Sequence, residues 1–252
     1  MNNNEYYARV RSKGFVKLPK DGHLVVKSTN IRDHDYTNEG LKYFSSDNSK
    51  FLNCKFNGIN FDEIGFGVGK KVSEYTQCNF DNIQVKNLNI GRARFINCSF
   101  LDVKLKEFKL IAGDLIGCRF SGQMENVQIN AKPGKLAYIY GERLNIVRQN
   151  DFTGVEFSDV EFRYGVDLAM QQFPQGPDYL IIPDAGNVFL AMERGIESIE
   201  DAESRHTLLT IIASMRRATD EGQKDYFFSK HGLPKSLQSD YELFHRYLLR
   251  HI

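Results

Sequence analysis

From Tyr75 to Phe120 every fifth residue is apolar: Tyr75, Phe80, Val85, Ile90, Phe95, Phe100, Leu105, Leu110, Leu115 and Phe120. Two places ahead of each stands a second residue, mostly small or apolar: Ser73, Cys78, Ile83, Leu88, Ala93, Cys98, Val103, Phe108, Gly113 and Cys118. A period of five is neither the 3.6 of a helix nor the 2 of a strand, and a fixed period takes precedence over local propensity in reading a fold. A longer beat lies over the short one. The tripeptides Cys54-Lys55-Phe56, Cys78-Asn79-Phe80, Cys98-Ser99-Phe100 and Cys118-Arg119-Phe120 recur, the last three at intervals of 20 residues and the first 24 before the second. Four pentads therefore close one turn of a coil.

Upstream the beat is weak at Ile31, Tyr36 and Leu41, skips at Ser46, and is clear at Phe51, Phe56, Phe61 and Phe66. It breaks phase before Tyr75, so Gly67 to Glu74 is predicted as a loop whose four extra residues account for the longer first interval. After Phe120 the phase shifts to Met124 and Ile129 and is interrupted over Ala131 to Tyr140, with a turn at Lys132-Pro133-Gly134-Lys135. It resumes at Val147, Phe152, Phe157 and Phe162, with Asn145, Asn150, Val155 and Val160 two places before. Residues 26 to 163, less the loops, make roughly six coils of 20 residues.

A pentad with Leu or Phe at its centre (Phe56, Phe80, Phe95, Phe120) and a small residue two places earlier (Cys54, Cys78, Ala93, Cys118) resembles the pentapeptide-repeat family over residues 26 to 163. The resemblance implies a mainly β fold: a right-handed quadrilateral β-helix with one pentad per face, four per coil, and both recurring positions inward. It also implies action by binding, since the best-understood members resemble a rod of B-DNA, bind type II topoisomerases and protect gyrase from quinolones or peptide toxins. That role depends on an acidic solenoid. Residues 27 to 162 hold 18 Lys+Arg and 17 Asp+Glu, a net +1, where B-DNA carries about one negative charge per 1.7 Å. The reading placed first is a non-enzymatic solenoid that binds a protein partner, as a bacterial immunity or resistance factor that neutralises or shields it. Second comes the topoisomerase-binding DNA mimic, and third a structural module that forms a homodimer through its C-terminal helices.

Charge over the whole chain is balanced, 33 Lys+Arg against 32 Asp+Glu, so no global field calls for nucleic acid or an anionic membrane. The first ten residues are polar, with no signal-peptide pattern, and no apolar run reaches the length of a membrane span. A soluble cytoplasmic protein is expected. The four cysteines share one inward pentad position and form no Cys-x-x-Cys, which predicts a single buried ladder rather than disulfides or a metal site. The six histidines are scattered without His-x-x-x-His or His-Glu-x-x-His, there is no Gly-x-Ser-x-Gly, and Gly67-Val-Gly69-Lys70-Lys71 lacks P-loop spacing. No catalysis, cofactor or metal is expected. Binding is assigned to loops and outward charges: Lys70, Lys71, Arg92, Arg94, Lys104 and Lys106.

The ends differ from the middle. Residues 1 to 25 carry a local charge of +3 and are predicted as one or two short strands capping the open coil. Residues 164 to 252 are predicted as a Pro-rich linker over Asp167 to Asp184 and a helical subdomain. Its helices are expected at Ala185 to Arg194 with Gly195 as stop, after Ser198 as N-cap with Leu208, Ile212 and Met215 on one face, within Thr219 to His231, and after Ser236 or Ser239. The stripe Leu237, Tyr241, Phe244 and Leu248 is the candidate self-association face.

Overall fold

The computed structural model describes residues 15–233 and 241–252. The protein is mainly β: parallel strands stack as a β-solenoid of about 5 turns, with a few helices at the C-terminal end. The recurring beat is a strand register. In the six-stranded sheet Ile31 pairs with Phe51, Phe51 with Tyr75, Tyr75 with Phe95, Phe95 with Leu115, and Leu115 with Val147.

Phe66 pairs with Ile90 but Ser73 with Ala93, so the four extra residues lie between Phe66 and Ser73. The loop is 67–72 rather than 67–74. Ser73 and Glu74 already belong to the strand Ser73–Thr76, because the Ser73 side chain points inward and its hydroxyl accepts the Ser49 N–H at 3.3 Å. In the longer sheet the first parallel strand is His23–Lys27, three residues ahead of the expected start, and Phe15–Lys20 pairs antiparallel along its edge as the cap. The remainder of the expected N-terminal cap, residues 1–14, lies outside the described residues.

Inside, the Cys-x-Phe units share one face. Rings stack in a single column: Tyr36 on Phe56 at 4.6 Å between centroids, then Phe80 at 5.0 Å, Phe100, Phe120 and Phe152 at 4.9 Å each, and Phe173 at 5.9 Å. The spacing is the distance between neighbouring strands, about 4.7–4.9 Å, so one ring per coil fills the interior with near-parallel faces. Each such aromatic pair adds about 0.5–1.5 kcal/mol beyond the area it buries. The column passes the expected end of the repeats at Arg163, because the backbone of Gln172 still pairs with Asp151 and brings Phe173 onto Phe152.

The coil corner ahead of each Cys is left-handed: φ is 53° at Asn53, 54° at Gln77, 52° at Asn97 and 62° at Gly117. Asn and Gly tolerate that region best, and the corner side chains also bond along the solenoid, with Asn53 Nδ2 donating to Asp33 Oδ1 at 2.7 Å.

After one helical turn within the second interruption, α1 (Ala137–Tyr140), the C-terminal helices are α2 (Ala185–Ile196), α3 (Ala202–Asp220) and α4 (Tyr241–Leu248). Gly195 lies inside α2 rather than stopping it; a Cβ there would stand 2.5 Å from Tyr247 Oη, so the glycine lets α4 approach. Asp201, not Ser198, caps α3, accepting the Ser204 N–H at 2.8 Å, while the Ser198 hydroxyl donates to the Gly195 carbonyl. The helix expected in 219–231 is instead the end of α3 followed by the strand Tyr226–Ser229, antiparallel to Tyr179–Ile182. Strand geometry sends Phe227 into the solenoid core and Phe228 into the helical core. The linker 167–184 is accordingly more regular than expected, with a 3₁₀ turn at Leu168–Met170 before its strand.

Candidate interaction surface

Two interruptions leave the same corner of the solenoid, each joining a strand of the long sheet to one of the short sheet: 67–72 and 131–146. The second folds back over that corner and is pinned at several points. Asp114, fully buried, receives the Arg94 Nε–H at 2.7 Å, the Ile146 N–H at 2.9 Å and the Arg143 guanidinium. Hydrogen bonds to a charged group contribute about 1.5–3 kcal/mol each, so this carboxylate is the main fastener. Arg92 ties the two interruptions together: it donates to Gly69 O at 3.2 Å and Ile139 O at 2.7 Å, and its guanidinium lies 5.0 Å from the centre of the Tyr140 ring.

Where the insertion rejoins the core, the buried Asn145 amide donates to Ile111 O and Asn130 O at 2.9 and 2.8 Å. Gly134, at φ +57°, presses on Tyr164 where a Cβ would come within 2.2 Å of its ring. Lys135 reaches Glu221 of the C-terminal unit at 2.9 Å.

This fastening holds apolar side chains out in water. Tyr138 is 82% exposed, Leu144 78%, Ile139 49%, Val68 47% and Ile146 41%. Isolated exposed apolar residues are ordinary, but several gathered on two pinned insertions make this a candidate interaction surface.

The residues assigned to binding from the sequence do not form one patch. Lys70 and Lys71 stand exposed on the 67–72 loop beside this platform. Arg92 and Arg94 hold the platform together instead of reaching outward, because carbonyls and the buried Asp114 already accept hydrogen bonds from their guanidinium groups. Lys104 and Lys106 lie on the strand Ser99–Lys106 of the long sheet, away from the corner, and Lys106 pairs with Glu125 at 3.0 Å. Tyr241, Phe244 and Leu248 are buried in the helical core, with the Tyr241 hydroxyl donating to Pro177 O, so they are not presented to a second copy. Leu237 lies outside the described residues.

Sequence reasoning passed over Tyr138, Ile139 and Leu144. Their signal was there: large apolar residues concentrated where the five-beat is absent, and so not needed for the interior.

A cleft of about 640 Å³ separates the last long strand from the C-terminal unit and is lined by Asp159, Glu161, Arg217, Tyr226 and His231 among others. Burial pushes the Asp159 carboxyl and the Tyr226 hydroxyl up from their ordinary values, while Arg217 is held by Glu161 at 2.9 Å. Among the described residues no three His, Cys, Asp or Glu side chains group as a metal site, and no helix is long and apolar enough to cross a membrane.

What fold and surface define together is a β-solenoid carrying a pinned apolar platform on one corner and a helical unit on its end. No protein-family model and no curated protein matches the chain.

Proposed function

We propose that the chain is a pentapeptide-repeat protein that acts by binding a protein partner, without catalysis, as an immunity or resistance factor that neutralises or shields that partner. The observation carrying the reading is the platform: Tyr138, Ile139 and Leu144 stand exposed on an insertion that Asp114 and Arg92 fasten down. A rigid insertion loses little conformational entropy when it docks. Supporting it is the continuous ring column from Tyr36 to Phe173, which fills the interior and leaves the outer surface as the place of action.

The test is affinity capture from a bacterial lysate by the tagged full chain, run beside a Tyr138→Ser/Leu144→Ser variant. One protein retained by the wild type and lost by the variant supports the proposal. Equal retention by both moves the binding surface elsewhere, and recovery of gyrase or topoisomerase IV subunits moves the function to the DNA-mimic reading.

A further inference from the structure

The platform has a charge of its own. Lys70 and Lys71 follow Val68 on the first interruption, and Lys132 opens the second; all three are exposed, and among the described residues none takes part in an ion pair. The nearby acids differ. Asp114 and Glu74 are engaged by Arg94, and Asp47 by Lys27 at 3.8 Å, which leaves Glu142 as the one exposed acid of the insertion. Lys70 and Lys71 therefore stand unpaired beside Val68, and Lys132 stands unpaired on the segment that carries Tyr138, while Asp114 and Glu74 beneath are held by Arg94.

Shape narrows the occupant. Arg92 joins the two interruptions, so the exposed apolar side chains lie on two short segments at one corner of the solenoid. Two short segments suit an extended chain better than a bilayer, which takes up the continuous apolar face of an amphipathic helix. Tyr138 is the one large aromatic side chain exposed on the platform, too few to stack successive bases of a nucleic acid, and Val68, Ile139 and Leu144 are aliphatic.

We propose that the platform takes an acidic segment of a partner protein that carries aromatic or aliphatic side chains, the apolar groups seating on Tyr138, Ile139 and Leu144 and the acids facing Lys70, Lys71 and Lys132. This rests on the protein-binding reading above and specifies the partner's chemistry. Rim charges of this kind act mainly on the association rate and its salt dependence, and central apolar anchors on the residence time.

The experiment is selection from a random-peptide display library on the full-length chain, followed by fluorescence anisotropy of the enriched peptides against wild type, Tyr138→Ser/Leu144→Ser and Lys70→Glu/Lys71→Glu. Melting temperatures of the variants establish that they fold. Expected are peptides of net negative charge with aromatic or aliphatic residues. Their binding should weaken on raising salt, and each double variant should weaken it by about tenfold, the equivalent of about 1.4 kcal/mol.

Peptides that need Tyr138 and Leu144 but show no acidic bias, and bind Lys70→Glu/Lys71→Glu as well as wild type, would overturn the acidic partner and leave the platform standing. No enrichment, or peptides indifferent to both double variants, would overturn platform and partner together. Sedimentation of the chain with phosphatidylglycerol vesicles at concentrations where no peptide binds would replace the protein segment with a lipid surface.

Discussion

Two residues per pentad do most of the folding. The central aromatic occupies one rung of the ring column, and the residue two places earlier seats against the previous coil, as when the Cys98 thiol lies 3.3 Å from Tyr75 O as a hydrogen-bond donor. Phe100 lies between Phe80 and Phe120, each at 4.9 Å, and truncation to Ala should cost about 3–5 kcal/mol, read as a fall in the urea midpoint. Gly117→Ala tests the corner: at φ +62° its Cβ would meet Asn97 Oδ1 at 2.4 Å, and a loss of about 1–3 kcal/mol is expected, whereas an unchanged midpoint would contradict the left-handed corner. The buried thiols give a third expectation. Burial raises the Cys98 thiol well above its ordinary value and all four cysteines are free and buried, so a thiol reagent should label none of them in the native protein and all of them in urea. These rungs were legible in the sequence because each is a one-residue choice repeated at fixed spacing. The corner was equally visible, as the Asn53, Gln77, Asn97 and Gly117 that precede the cysteines, but it takes knowledge of the turn's φ to see that they belong together.

Elements outside the repeat were harder to read. The aromatic run Tyr226-Phe227-Phe228 is compatible with helix or strand by local pattern alone; its pairing partner, Tyr179–Ile182, lies far back in the chain and decides the matter. Gly195 carries a stop signal, yet the close approach of Tyr247 explains it better. A break was legible over 131–140, shorter than the 131–146 that the structure shows, while its fasteners were not, since Asp114 meets Arg143 and Ile146 only when the next turn of the coil has closed beside it. Asp114→Ala leaves Arg94 and Arg143 without their shared buried carboxylate, a change that typically costs about 3–5 kcal/mol when a buried pair loses one partner. Limited proteolysis should then cut within 131–146 while the strand signal in far-ultraviolet circular dichroism persists. Protease resistance equal to wild type would show that the insertion is held by something else.

At the scale of the whole molecule the C-terminal unit is the solenoid's stopper. Phe173 stacks on Phe227 at 4.5 Å, and Tyr179 lies beyond it at 5.9 Å, so the ring column ends on a strand that itself backs onto the helical core. An uncovered coil end presents unpaired strand groups and an apolar cross-section, a template for end-to-end association. Phe227→Asp should therefore convert the protein to larger species in size-exclusion chromatography with light scattering, where a variant that keeps the elution and mass of wild type would remove the stopper role. Ring column and stopper fill and close the interior, and the proposed binding surface is the set of apolar side chains that the fastened insertion holds in solvent, Tyr138, Ile139 and Leu144. The most direct measurement is hydrogen exchange by mass spectrometry of the chain free and saturated with its captured partner. Protection is expected at 67–72 and 131–146; protection confined to the strands Gln84–Ile90 and Ser99–Lys106 of the long sheet would contradict the assignment.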